Sequence, residues 1–131
     1  ARLWAVLMAD RDIDLSMLHA LASAGFAGVM LDTAGKGSGP LTSLYPRTGL
    51  VAFLQAARAA GLANGLAGSL TRADIPRLAS LRPDVLGFRG ALCRTDRTGD
   101  LDAARTAAIA HDIAAARAAS PKDVTASDEL P

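Results

Sequence analysis

Apolar and polar positions along this chain alternate in blocks. Leu3-Trp4-Ala5-Val6-Leu7-Met8-Ala9 is a continuous apolar run closed by Asp10, the pattern of a strand covered on both faces. Asp14 then caps a stretch in which Leu15, Leu18, Leu21 and Ala22 share one helical face, with Gly25 as its stop. Ala27-Gly28-Val29-Met30-Leu31 predicts a second strand, ending in Asp32 and Thr33. A loop rich in Gly, Ser and Pro runs from Gly35 to Pro46, after which Leu50, Phe53, Leu54 and Ala57 mark a helix stopped by Gly61. Leu62 to Ala67 reads as the third strand. Thr71, with Asp74 three residues on, has the form of a capping box and begins a short helix. Val85 to Phe88 is the fourth strand, and Asp100 opens an alanine-rich helix reaching about Ala119. Ser120 to Pro131 has little apolar content and reads as a loose carboxyl-terminal tail.

Four strand–helix units in succession predict an α/β fold with a parallel sheet and right-handed crossovers. Eight such units of roughly 30 residues make a complete (β/α) barrel of about 250 residues, a TIM-type barrel. This chain has 131 residues and four units, so residues 1–119 are expected to be the carboxyl-terminal half of a (β/α)8 barrel, with 120–131 as tail. It opens almost at once in a strand, at Ala1 and without an initiator methionine, which hints at an origin inside something longer. A free half-barrel exposes two parallel strand edges and one apolar sheet face, which chains normally pair or cover. We therefore expect completion by another chain or by a second copy. The alternative is a small open α/β sheet of four strands.

Composition narrows the function classes. Half of the residues are apolar, 21% are charged, 4% are aromatic, and the formal net charge is +1. That excludes disorder as the main state, and near-neutrality with one tryptophan argues against a nucleic-acid groove. No run approaches the roughly 18 to 20 apolar residues of a membrane helix. The single cysteine, Cys93, excludes an internal disulfide and a thiolate zinc cage and fits a reducing compartment. No cleavable signal pattern opens the chain, so it is read as cytoplasmic. Twelve of the fourteen basic residues are arginine, which makes Lys36 and Lys122 stand out.

In parallel α/β folds ligands gather at the carboxyl ends of the strands. The residues there are Asp10, Arg11 and Asp12 after the first run; Asp32, Thr33 and Lys36 after the second; Gly68 and Ser69 after the third; Arg89, Gly90, Ala91 and Cys93 after the fourth. Asp32 and Lys36 form the sharpest pair. A lysine beside a carboxylate at a barrel mouth can act as acid/base or as an imine-forming amine, and the carboxylate can shuttle protons at carbon next to a carbonyl. Asp32 merely capping its loop through an Asx turn, with Lys36 in solvent, fits the same residues. Gly68, Ser69, Gly90 and Ala91 suit a phosphate cradle of backbone amides, as in the loops after the last two strands of many barrels. Taken alone, these glycines are read first as simply making tight strand-to-helix turns.

Gly35-Lys36-Gly37-Ser38-Gly39 fails both the Walker and the dinucleotide patterns, so a nucleotide P-loop is rejected. His19 and His111 lie on predicted outer helices and read as boundary or surface residues. No His/carboxylate spacing suggests a metal. Cys93 reads as a small buried residue with no histidine placed to activate it.

Met30-Leu31-Asp32-Thr33-Ala34-Gly35-Lys36, Leu66-Ala67-Gly68-Ser69-Leu70 and Gly87-Phe88-Arg89-Gly90-Ala91-Leu92-Cys93 occur in this order. Together they resemble the carboxyl half of the (5-formylfuran-3-yl)methyl phosphate synthase family, also called 4-(hydroxymethyl)-2-furancarboxaldehyde-phosphate synthase, and the likeness runs from about Leu3 to Ala110. It implies a (β/α) barrel lyase that supplies the furan of methanofuran-type one-carbon carriers. Such an enzyme condenses two molecules of glyceraldehyde 3-phosphate with loss of phosphate and water, by lysine-based aldolase-like chemistry without a metal or other cofactor. Asp32 and Lys36, four residues apart, match an aspartate and a lysine implicated in that catalysis. Gly68, Ser69, Gly90 and Ala91 match the phosphate-binding loops, and Arg89 is a candidate substrate contact.

The chain departs from the family in one respect. The other catalytic lysines, including the one that forms the Schiff base, belong to the family's amino-terminal half, which has no counterpart here; Lys122 in the tail is no substitute. The resemblance therefore implies a chain inert, or nearly so, without that half. Two further readings fit the residues: another aldolase- or isomerase-like barrel acting on a small sugar phosphate, and a non-catalytic half-barrel that binds phosphate or a partner chain.

Overall fold

The computed structural model describes residues 2–34, 39–93 and 99–119. Along the chain the elements are β1 (Trp4–Met8), α1 (Met17–Ser23), β2 (Gly28–Asp32), α2 (Leu41–Leu44), α3 (Arg47–Ala59), β3 (Ala63–Leu66), α4 (Ile75–Ala79), β4 (Val85–Leu86) and α5 (Ala103–Ala119). Short 3-10 turns at Arg72–Asp74 and Gly90–Leu92 precede α4 and follow β4. They fall into two compact units: the chain through Gly68 with Pro83–Gly87, and Ser69–Arg82 with the chain from Phe88 onward.

The first unit is a four-stranded parallel sheet in the order β1-β2-β3-β4. That order has no switch point. Strands added always in one direction through right-handed crossovers place their helices on one side of the sheet. Burial follows this asymmetry. The register sets Ala5, Val29 and Asn64 in one row and Leu7, Leu31 and Leu66 in the next. On this face Val29, Leu31, Asn64 and Leu66 are all buried. Helix α1 buries Leu18, and α3 buries Leu50, Phe53, Leu54 and Ala57 as it packs on β3. Each of these leucines and the phenylalanine contributes about 1.5–3 kcal/mol by leaving water.

Right-handed crossovers leave the opposite face without a helix among the described residues of this unit. Trp4, Val6, Met8, Gly28, Met30, Asp32, Gly65 and Val85 lie on it by alternation and register. The Trp4 indole spreads over Gly28, where a Cβ would fall 2.5 Å from the ring, and the Met30 thioether lies over Gly65. Val6 is 50% exposed and Val85 38%. The expectation that the first strand is covered on both faces is corrected to this extent: Trp4, Ala5, Leu7 and Met8 are half-buried and Val6 is exposed.

Several local expectations hold. Gly25 and Gly61 both have positive φ and close α1 and α3 with the paired bonds of a Schellman motif, Phe26 N–H to Leu21 O with Gly25 N–H to Ala22 O, and Leu62 N–H to Ala57 O with Gly61 N–H to Arg58 O. The Thr71–Asp74 capping box is present, its carboxylate accepting from the Thr71 amide at 2.8 Å. Others shift. Helix α1 starts at Met17, because the Asp14 carboxylate takes the Ser16 amide and hydroxyl (3.0 and 2.6 Å) in a turn ahead of the helix. Those bonds hold the Asp14 carboxyl below its ordinary range. The Gly/Ser/Pro loop contains α2. Strand β4 stops at Leu86, two residues short of expectation. Helix α5 begins at Ala103, with the Asp102 carboxylate rather than Asp100 accepting from its first turn, at the Arg105 amide (2.9 Å). The predicted tail, Ser120 to Pro131, lies outside the described residues.

The second unit has its own small core. Ile75 and Ala79 of α4 and Ile109 of α5 are buried together, with Phe88, Ala91, Leu92, Ile113 and Ala116 packed around them. Arg72 pairs with Asp112 across this unit, Nε–H to Oδ2 at 2.7 Å. That hydrogen bond is the first cause holding the Asp112 carboxyl below its ordinary value of 3.8. Among the described residues no helix is long and apolar enough to cross a membrane.

Two outcomes follow from these contacts. The buried Asn64 side chain accepts the Asp84 N–H (3.0 Å) while the Asp84 carboxylate accepts the Asn64 N–H (2.9 Å), clasping the amino-terminal ends of β3 and β4. Asn64→Ala should lower unfolding free energy by about 1–3 kcal/mol, and Asn64→Asp by more, since it buries a charge facing Asp84; urea midpoints would show it. A depressed carboxyl stabilises the fold above its unfolded pKa and loses that contribution as pH falls through the folded value. Asp112→Asn should therefore flatten the loss of stability below about pH 3.8, slightly and less so in high salt, in a pH series of thermal melts.

Candidate active site

The parallel ladder brings the strand ends of the first unit to one edge. Ala9 N–H donates to Asp32 O (2.6 Å), Ala67 N–H to Leu31 O (2.8 Å) and Gly87 N–H to Leu66 O (2.9 Å). Asp32 is the last residue of β2, opposite Met8 in register, and it falls on the face without helices. It is half-buried, and its Oδ1 accepts the Thr33 N–H at 2.7 Å. The side chain is thus held locally, by the next residue's amide rather than by the amide two residues on that an Asx turn uses. That second amide, of Ala34, donates instead to Asp10 Oδ1 at 3.1 Å.

Gly68 follows β3 with φ +120°, and a Cβ there would fall 2.8 Å from Thr33 Cγ2 and 2.9 Å from its Oγ1. Its carbonyl accepts the Leu41 N–H at 3.0 Å. The glycine is therefore required by the backbone turn and by the approach of Thr33, whatever else its amide does. Asp32, Thr33, Asp10 and Gly68 are brought together in this unit. Lys36, with Gly35, Gly37 and Ser38, lies outside the described residues.

Ser69, Arg89, Gly90 and Ala91 belong to the second unit. Ser69 is exposed and has φ +51°, a left-handed conformation that costs a non-glycine residue about 1–2 kcal/mol. Arg89 is exposed and precedes the 3-10 turn, its carbonyl accepting the Leu92 N–H at 3.1 Å. Gly90 is exposed, whereas the Ala91 methyl packs on the Ile75–Ile109 core, so only its backbone is left to meet a ligand. Asp102 N–H donates to Leu92 O (2.7 Å), and the Arg105 guanidinium donates to Cys93 O. Cys93 is buried with its thiol donating to Arg89 O (3.1 Å), the packing role expected of it. His19 and His111 are exposed, as expected. Among the described residues no three His, Cys, Asp or Glu side chains converge as metal ligands.

Asp10 is the residue whose role the sequence left unassigned. Its only signal there is its position directly after the first apolar run.

A parallel sheet with helices on one face and a carboxylate at the carboxyl edge of the other defines an α/β protein of the kind that places its chemistry at strand ends. Residues 1–110 match the 4-HFC-P synthase family, and the chain belongs to that family. A Methylorubrum extorquens protein, provisionally named (5-formylfuran-3-yl)methyl phosphate synthase, is 51% identical over 107 residues, 81% of this chain and 45% of the relative. The (5-formylfuran-3-yl)methyl phosphate synthase of Methanosarcina mazei is 39% identical over 77 residues, 59% of this chain and 33% of that protein. The chain thus spans half or less of the length of these relatives.

Gly68→Ala should cost about 2 kcal/mol or more of stability, since a methyl meets Thr33 in a conformation that L-residues rarely adopt; chemical denaturation would measure it.

Proposed function

We propose that this chain is the carboxyl-terminal half of a (β/α) barrel lyase that condenses two molecules of glyceraldehyde 3-phosphate into (5-formylfuran-3-yl)methyl phosphate. Atom balance requires release of one phosphate and two waters. The reading rests on family membership together with the place of Asp32, a carboxylate at the carboxyl end of a parallel strand on the face that helices leave open. In a closed barrel that face is the interior and the carboxyl edge is the mouth. The strictly sequential strand order favours this over an open doubly wound sheet, whose order reverses at a switch point.

In this reading Asp32 moves protons at carbon beside the substrate carbonyl, and Lys36 serves as its acid/base partner. The amides of Gly68, Ser69, Gly90 and Ala91 receive substrate phosphate, and Arg89 offers a cation to it. The imine-forming lysine comes from the amino-terminal half, so the partner of the open sheet face is that half or, failing it, a second copy of this chain. No metal and no cofactor enters. The product serves methanofuran-type one-carbon metabolism in the cytoplasm.

The test supplies glyceraldehyde 3-phosphate to the longest polypeptide encoded with these residues and follows released phosphate together with near-ultraviolet furan absorbance. One phosphate per furan is expected. Asp32→Asn should lower kcat by about 10²–10⁴-fold, and Lys36→Met should abolish turnover, while phosphate binding through backbone amides persists in both. Phosphate binding without any product would make the protein a binding module and overturn the proposal.

A further inference from the structure

Three backbone groups at the end of β2 have fixed partners, and two of the three partners come from one place. Asp32 O accepts from Ala9 N–H at 2.6 Å, and Ala34 N–H donates to Asp10 Oδ1 at 3.1 Å. Between them, Thr33 N–H donates to the Asp32 carboxylate at 2.7 Å. Residue 9 therefore holds the carbonyl of the same peptide whose N–H binds the Asp32 side chain, and residue 10 holds the N–H of the next peptide along. The grip is built by a turn: Arg11 N–H donates to Met8 O at 3.1 Å, folding the chain back as it leaves β1 so that Asp10 meets a residue 24 positions away. Thr33 has little freedom on its other flank, where Gly68 approaches closely enough that a Cβ would stand 3.2 Å from the Thr33 nitrogen.

We propose that Asp10 is a positioning residue for Asp32, an inference that rests on the role given to Asp32 above. By fixing the Ala34 amide, the Asp10 carboxylate sets the orientation of the Thr33–Ala34 peptide. That peptide stands next to the amide to which Asp32 Oδ1 is bound, so the direction in which the second Asp32 oxygen faces the reacting carbon depends on it. Asp10 does this as a hydrogen-bond acceptor and not through its charge. The bond is solvent-exposed, so water can replace it when it is lost. The consequence is looser geometry at Asp32 rather than an unfolded protein, and misplacement of a reacting group on the order of 1 Å costs about 10²-fold in rate.

Asp10→Ala and Asp10→Asn, made in the longest polypeptide encoded with these residues, separate the possibilities. The alanine variant should lose about tenfold to hundredfold in kcat, with KM for glyceraldehyde 3-phosphate within about twofold of the parent. The asparagine variant keeps an acceptor oxygen and should recover to within about threefold of the parent. Amide hydrogen exchange at Ala34 should quicken by about tenfold or more in the alanine variant and stay near the parent rate in the asparagine one. If the alanine variant does not fold, Asp10→Ser, too short to reach the Ala34 amide, takes its place. An asparagine variant as slow as the alanine one would show that the charge itself is used, and would overturn the proposal. So would an alanine variant as active as the parent, or unchanged exchange at Ala34. Should the parent make no furan, the functional reading falls by itself. Exchange at Ala34 then decides the grip alone: quickened in the alanine variant and retained in asparagine it stands, and otherwise it falls.

Discussion

The one-directional parallel ladder through β1, β2 and β3 is the constraint on which the first unit depends. Each strand is added on the same side of the last, so α1 and α3 have one face to cover, and Val29, Leu31 and Leu66 vanish beneath them. The period of two in a strand then leaves no choice for the alternate residues. Trp4, Val6, Met30 and Val85 go to the other face, and Asp32 goes with them. A carboxylate placed one residue earlier, at the fully buried Leu31, would lie on the covered face, where its charge would be costly. The position of the candidate acid is thus a consequence of register, and register is held by the burial of the opposite face.

At the carboxyl edge the chain gives up regularity for position. Gly68 turns with positive φ at a point where Thr33 also leaves no room for a side chain, and Ser69 remains in a left-handed conformation without being glycine. Such residues gather where the surrounding structure over-determines the backbone. The amino-terminal edge shows the opposite character. There Asn64 and Asp84 exchange hydrogen bonds with each other's backbone, a closed arrangement that stabilises and offers nothing to a ligand. Stability at one end of the strands and chemistry at the other is the division that parallel α/β folds share.

Much of this was legible in the sequence because its signals are local. Gly25 and Gly61 announce the ends of α1 and α3, since a Schellman turn needs a left-handed residue at that point. Thr71 and Asp74 announce a helix start because both partners of the capping box lie within one turn. Asp32 and Gly68 stood out as the first polar and the first glycine positions after apolar runs. What stayed hidden depends on distance. The Asp10–Ala34 bond joins residues 24 apart and leaves no local mark. Helix α2 is four residues long inside a Gly/Ser/Pro stretch, too short to show a period. The apolar run of β1 records that both faces suit burial, not what buries them, so the exposure of Val6 could not be read from it. The family's motifs carried the functional reading further than the spacing of Asp32 and Lys36 could, because a carboxylate and a lysine four residues apart are compatible with an idle loop.

The central claim is that these residues form the carboxylate-bearing half of a furan-forming active site. It is tested most directly by a hybrid in which residues 1–110 replace the matching part of the 51%-identical Methylorubrum extorquens relative. A folded hybrid that makes the furan from glyceraldehyde 3-phosphate, and stops when Asp32 becomes Asn, is the predicted result. A hybrid that folds and forms no product, or one whose activity is indifferent to Asp32, would contradict the account.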